Sequence, residues 1–229
     1  MKTLVIMGAG EGLGLSLAKR FGKENFQVAL VSRDTQKLQR LVNTLKENDI
    51  EASFFRADIY KKEQIENAID AIKEKYGQID VLEFSPTPGN YPPTAVLELT
   101  AENVMNIFEG HVPSAINTVN TVLPDMLKRG EGTLMFTTGL SAVYPIPMLA
   151  NVGIALSGLR NYLTNLHSEL EPKGIRVMHR SLGLFMKAGT GEVNDPEVIA
   201  DMWYHVYNER RDWEDVYPEG VTPEKIVGL

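Results

Sequence analysis

Short apolar runs alternate with amphipathic stretches along the first 185 residues of this 229-residue chain, and few folds accommodate that rhythm. TLVIM, FQVALVS, EASFFRA, IDVLEFS, GTLMFTT and IRVMHRSL read as six strands. The stretches between them read as helices. GLGLSLAKRFGKE closes near Gly22, and TQKLQRLVNTLKEN takes Asp34 as its N-cap. Lys61 to Tyr76 carries Ile65, Ala68, Ile69 and Ile72 on one face, and Glu102 to Lys128 and Asn151 to Leu170 complete the series. Strands separated by helices of that length imply parallel βαβ units with right-handed crossovers. The expectation is an α/β protein with one doubly wound parallel sheet and helices on both faces. Residues 1–229 read as one domain, with 194–229 as a variable tail. That tail holds a helix over DPEVIADMWYHVYNERR and then an end punctuated by proline and glycine. Its Trp203, Tyr204 and Tyr207 fit core packing, a partner surface or a substrate lid, with core packing favoured.

Composition removes several functions. Net charge is −7, and the only local basic cluster is ERR at Glu209 to Arg211, so nucleic acid is not an expected partner. The absence of cysteine excludes disulfides and thiolate chemistry. His167, His179 and His205 lack the spacing of a metal site. The apolar run in MKTLVIMGAG is about five residues long and leads into a glycine turn, which suits a buried strand better than a signal peptide. No stretch approaches the ~20 apolar residues of a membrane span, and a cytoplasmic protein is expected.

The first strand runs into Gly8-Ala9-Gly10-Glu11-Gly12-Leu13-Gly14 and then a helix. A leading glycine permits the tight turn, and later ones let the backbone approach a pyrophosphate. The helix N-terminus supplies free amides and a positive dipole end. In that context the turn reads as the phosphate-binding element of a Rossmann-type dinucleotide fold. The second strand ends in Ser32-Arg33-Asp34. Ser32 leaves room for a 2′-phosphate, Arg33 can pair with it, and Asp34 is accounted for as a helix cap. Glu11 in the turn would repel that phosphate. The balance favours NADP(H) over NAD(H).

These features together resemble the short-chain dehydrogenase/reductase family over residues 1 to 185. Gly8, Gly12 and Gly14 match the family's Thr-Gly-x3-Gly-x-Gly turn, with Met7 in the threonine's place. Asp58 in RADI matches an adenine-contacting aspartate, followed by Ile59. Leu123-Pro124 and Met126 match the end of the fourth helix, and Gly174 to Val177 the sixth strand. Ile79 to Leu82 is the family's IDVL run. EFSPTPG follows where the family has Asn-Asn-Ala-Gly, which puts Ser85 and Pro86 beside the nicotinamide ribose.

The resemblance implies carbonyl reduction by hydride transfer, with a tyrosine as acid and a lysine that lowers its pKa. Here the chain departs. Counted from Glu169-Leu170, the tyrosine and lysine positions hold Val152 and Leu156 and the serine position Gly139; counted from Leu123-Pro124, the asparagine position holds His111. No tyrosine is followed by lysine at the fourth place, and no lysine lies between Lys128 and Lys173. The family's later Pro-Gly is Leu182-Gly183.

Tyr144 and Ser141, after the fifth strand, and His111 are the candidates to serve instead, with Tyr91 on the facing loop. Each also fits a plain structural role: Tyr144 as a loop aromatic, His111 within its helix, Asn151 as a helix cap. Glu83 alternates with apolar neighbours and is given no role, and Arg160 and Tyr162 read as packing or interface residues. Two functions stay open. One is an NADP(H)-dependent oxidoreductase with a non-standard proton donor, acting on an unknown small organic molecule that needs no strong acid, such as an activated double bond or an iminium. The other is a non-catalytic nucleotide-binding regulator or scaffold. Val152, Ala155, Leu156, Leu159, Tyr162 and Leu163 form a stripe at helical spacing. In this family such helices pair, so a homodimer or homotetramer through helices four and five is expected.

Overall fold

Seven parallel strands form one sheet in the computed structural model, which describes residues 1–87, 92–209 and 212–226. The strands are β1 (Lys2–Met7), β2 (Phe26–Ser32), β3 (Ala52–Arg56), β4 (Val81–Phe84), β5 (Gly132–Gly139), β6 (Ile175–Leu182) and β7 (Glu214–Tyr217). The helices are α1 (Leu13–Gly22), α2 (Thr35–Lys46), α3 (Lys62–Tyr76), α4 (Ala101–Arg129), α5 (Ala150–Leu170) and α6 (Pro196–Glu209). Spatial order is β3-β2-β1-β4-β5-β6-β7, so chain direction across the sheet reverses between β1 and β4. Ligands of open α/β sheets bind beyond the carboxyl ends of the strands at such a reversal. The central strands are apolar on both faces, as burial under two helix layers requires. One core cluster joins the sheet to α3, α4 and α5, and the other joins it to α1, α2 and α6.

Asp34 caps α2 as expected, its carboxylate accepting from the Lys37 amide at 2.9 Å. Trp203 is fully buried, and Tyr204 and Tyr207 pack on Phe21, which settles α6 as a core helix.

Three expectations need correction. The end of the chain is more than a punctuated tail, because Glu214–Tyr217 pairs with β6 as a seventh strand. Asn151 is not the cap of α5, which starts at Ala150 after Leu149. Asn151 is buried, and its side chain ties down the segment before α4 instead. Its oxygen accepts from the Thr94 amide at 2.8 Å, and its nitrogen donates to the Pro92 carbonyl at 3.0 Å. Finally, Ala155, Leu156, Leu159 and Leu163 of the α5 stripe are buried in the chain's own core. Any pairing of α5 across a two-fold would have to use its outer face, where Ile154 is exposed.

Candidate active site

The glycine turn brings β1 onto α1 beneath Pro86. Gly8 has φ +90°, and a Cβ there would stand 2.4 Å from the Pro86 Cα, so turn and loop touch backbone to backbone. A Cβ on Gly10 or Gly12 would meet nothing within 4 Å, which leaves that side open for a ligand to approach. No side chain caps α1 and no acid lies in its first turn, so its positive end faces the same opening.

Two cavities share this turn. The smaller, about 220 Å³, is lined by Gly8, Gly10, Ser32, Arg33, Lys37, Ile59, Tyr60 and Pro86. Ser32, Arg33 and Ile59 therefore stand together as expected, joined by Lys37 as a second cation that the strand-end reading overlooked. Asp58 lies beside this cavity rather than in its wall, and its carboxylate accepts from the Tyr60 amide at 3.2 Å. Glu11 points to solvent and pairs with Arg40 at 3.3 Å, which offsets the repulsion it would exert on a phosphate.

The larger cavity, about 620 Å³, continues from the turn past Leu13, Gly14, Ser85 and Pro86. It runs over the ends of β5 and β6 to the start of α5. Val152, Leu156, Gly139 and His111 all line it. The four positions that depart from the family pattern thus meet in one cleft, and three of them are now apolar or bare. Leu149, Leu182, Leu184, Phe185 and Met186 complete a largely apolar wall with no Asp, Glu, Lys or Arg among the described residues.

Of the proposed substitutes, Ser141 and His111 are in the cleft, and Tyr144 is half-buried outside its lining. Tyr91 lies outside the described residues, as do Pro88, Arg210 and Arg211. The Ser141 hydroxyl is buried without a hydrogen-bond partner among the described residues. A Cβ on Gly139, where the family's serine would stand, lies 4.0 Å from it, so the hydroxyl of Ser141 neighbours that position without occupying it. Orphaned buried hydroxyls are uncommon and costly, and Ser141 shares this state with Tyr76, Asn106 and His167. His111 donates from Nδ1 to the Ile107 carbonyl at 2.9 Å, leaving Nε2 as an acceptor. Burial lowers its pKa against that backbone bond, which keeps the ring neutral at pH 7.

Ser85 has a partner that was not foreseen. Its hydroxyl donates to Glu83 at 3.0 Å, Thr137 donates to the other oxygen at 3.1 Å, and the Trp203 indole donates to Thr137 at 3.1 Å. Glu83 is completely buried, and loss of hydration pushes its carboxyl up to about 7 despite the two hydroxyls. Its place in the strand alternation was visible in the sequence, but Thr137, and Trp203 behind it, come from distant segments.

The match to a family model decides the family. Residues 2–197 fit the model described as short chain dehydrogenase. The chain belongs to that family. An uncharacterised oxidoreductase of Listeria monocytogenes is 24% identical over the whole chain and 88% of the relative. Dehydrogenase/reductase SDR family member 4 of Sus scrofa is 26% identical over 80% of this chain and 65% of that protein. Among solved structures, a short-chain dehydrogenase from Rhodopseudomonas palustris superposes with TM-score 0.81 at 22% identity, covering 94% of this chain and 97% of that one. The L-sorbose reductase of Gluconobacter frateurii, solved with NADPH and L-sorbose, gives 0.84 at 20% identity, covering 97% of each. As a short-chain dehydrogenase relative, this chain has an oxidoreductase fold with a nicotinamide nucleotide as the family's coenzyme.

Proposed function

We propose that this protein is an NADP(H)-dependent oxidoreductase that moves hydride between the nicotinamide and an uncharged, largely apolar alcohol or carbonyl compound. The nucleotide's adenosine end lies by Ser32, Arg33 and Lys37, and its pyrophosphate by Gly10 and Gly12 at the head of α1. Arg33 and Lys37 favour a 2′-phosphate. The nicotinamide then enters the larger cleft past Ser85 and Pro86. The bound group supplies the hydride, while the chain's residues orient the substrate and exclude water. NADP(H) in the sorbose reductase and in other superposing proteins agrees with this reading.

One observation carries it: the orphaned Ser141 hydroxyl in an apolar cleft that is continuous with the glycine turn. That hydroxyl donates to the substrate oxygen, where charge develops as hydride moves. Beyond the glycine turn, no charged side chain among the described lining residues would offset the desolvation of an ionised substrate.

Steady-state reduction of cyclohexanone and menthone by NADPH tests this. Ser141→Ala is expected to lower kcat/KM by roughly 10²-fold while leaving NADPH affinity unchanged. Unaltered kcat/KM would remove Ser141 from the chemistry. Tight NADPH binding with no turnover of any uncharged carbonyl or alcohol would favour the regulatory reading.

A further inference from the structure

Thr138 stands on the cleft wall next to Gly139 and heads a hydrogen-bonded chain that crosses three strands. Its hydroxyl lies 2.7 Å from Nε2 of His179 on β6, and Nδ1 of His179 lies 2.9 Å from a Glu214 oxygen on β7. Arg160 of α5 grips Glu214 through two bonds of 2.6 and 2.8 Å. Ser181 stands 3.0 Å from the Thr138 hydroxyl and 3.4 Å from Nε2. A carboxylate can only accept, so Nδ1 carries the proton. Nε2 is then the acceptor, and the Thr138 O–H donates to it. A hydroxyl backed by an imidazole that a carboxylate orients is the arrangement by which proteins make a weak alcohol exchange protons.

Resting on the oxidoreductase reading, we propose that Thr138 is the catalytic residue that exchanges the substrate proton, with His179 as its base and Glu214 and Arg160 as positioning residues. With NADP⁺ bound as hydride acceptor, oxidation of an alcohol would pass its O–H proton to the Thr138 oxygen as the C–H hydride leaves. The proton of Thr138 passes to His179 Nε2. A carbonyl, NADPH and an imidazolium result, and reduction runs the same transfers backwards. His179 is fully buried, so its proton has to travel by way of the hydroxyls. The chain lies on the α5 face of the sheet, beneath Val152 and Leu156, and so reaches the side of the cleft from which the tyrosine and lysine are missing.

The surroundings set the direction. Facing His179 are Glu214 from β7, Arg160 from α5 and the neighbouring Arg180 of its own strand. Burial lowers its pKa, Glu214 opposes the change, and the two arginines add to it. A neutral imidazole takes protons better than it gives them at pH 7, which favours dehydrogenation of an alcohol.

The test combines kinetics with nuclear magnetic resonance on the intact protein. With NADP⁺ and cyclohexanol or menthol, Thr138→Val is expected to lose roughly 10²-fold or more in kcat with unchanged NADP⁺ affinity, and Thr138→Ser to recover most of it. Wild-type kcat should rise with pH through one ionisation below the ordinary histidine value of about 6.5 and then level off. His179→Gln should abolish that step. Nitrogen-15 spectra should show His179 as the Nδ1–H tautomer at pH 7. An Nε2–H tautomer, or full activity in Thr138→Val, would overturn the relay and leave the oxidoreductase reading standing. Absence of nucleotide binding by calorimetry would remove both.

Discussion

Gly8→Ala lowers the thermal midpoint by roughly 5–15 °C, because two costs fall on one position. An L side chain at φ +90° is strained by about 1–2 kcal/mol. The new Cβ also meets Pro86 backbone atoms at 2.4 Å, which no rotamer change relieves, and overpacking of that kind costs about 1–3 kcal/mol more. For a chain of this size each kcal/mol moves the midpoint by about 2–4 °C. Gly10→Ala is the control. Its Cβ meets no atom within 4 Å, so the midpoint should stay within about 2 °C. The same methyl stands where the pyrophosphate must come close, and NADPH affinity should fall at least ~10-fold. Calorimetric melting and NADPH titration of both variants separate the two roles. Equal melting losses, or undiminished NADPH binding by Gly10→Ala, would refute the division between a glycine for the turn and a glycine for the ligand.

The second large effect is on stability against pH, through Glu83. Its carboxyl is raised from the ordinary 4.5 to about 7 in the folded chain, with burial the leading cause. Below pH 4.5 it is protonated folded or unfolded and costs nothing. As pH rises towards 7 the unfolded chain releases a proton that the folded chain retains, and stability falls. Above 7 both states are ionised and the loss is complete, at roughly 3 kcal/mol. Glu83→Gln stays neutral, accepts from one hydroxyl and donates to the other. Relative to wild type it should gain roughly 2–3 kcal/mol between pH 5 and pH 8. Urea unfolding of both proteins at the two pH values measures this. A difference that does not change with pH would show that Glu83 is not held up by its burial.

Much of the fold could be read from the chain because parallel strands buried on both faces leave apolar runs, clearest in β1 and β2, whereas the edge strand β3 is half-exposed. β7 escaped because Glu214-Asp215-Val216-Tyr217 is a four-residue edge strand with two acids and no alternating pattern. Asn151 misled because its position suits a cap, whereas its true partners, Pro92 and Thr94, lie nearly 60 residues earlier. The candidate nucleotide site was legible where local geometry makes it, at Gly8 to Gly14 and at Ser32-Arg33. Lys37, one turn into α2, was not, since nothing at the strand end points to it. Ser141 was singled out from its loop after the fifth strand and His111 from the family's asparagine position, and both line the cleft. Thr138, His179 and Glu214 were not, because they are 41 and 35 residues apart and meet only through the register of three parallel strands.

Every proposed role of the cleft depends on a nicotinamide nucleotide lying across the glycine turn, with a phosphate at Arg33. Isothermal titration of the purified protein with NADPH and, separately, with NADH measures that directly. NADPH should bind at micromolar concentration or tighter and more strongly than NADH. Arg33→Ala should weaken NADPH by roughly 10- to 100-fold, the value of a charge-assisted phosphate contact, and leave NADH nearly unchanged. Heat from neither nucleotide would mean that the turn is retained as architecture alone, and the oxidoreductase account would fail.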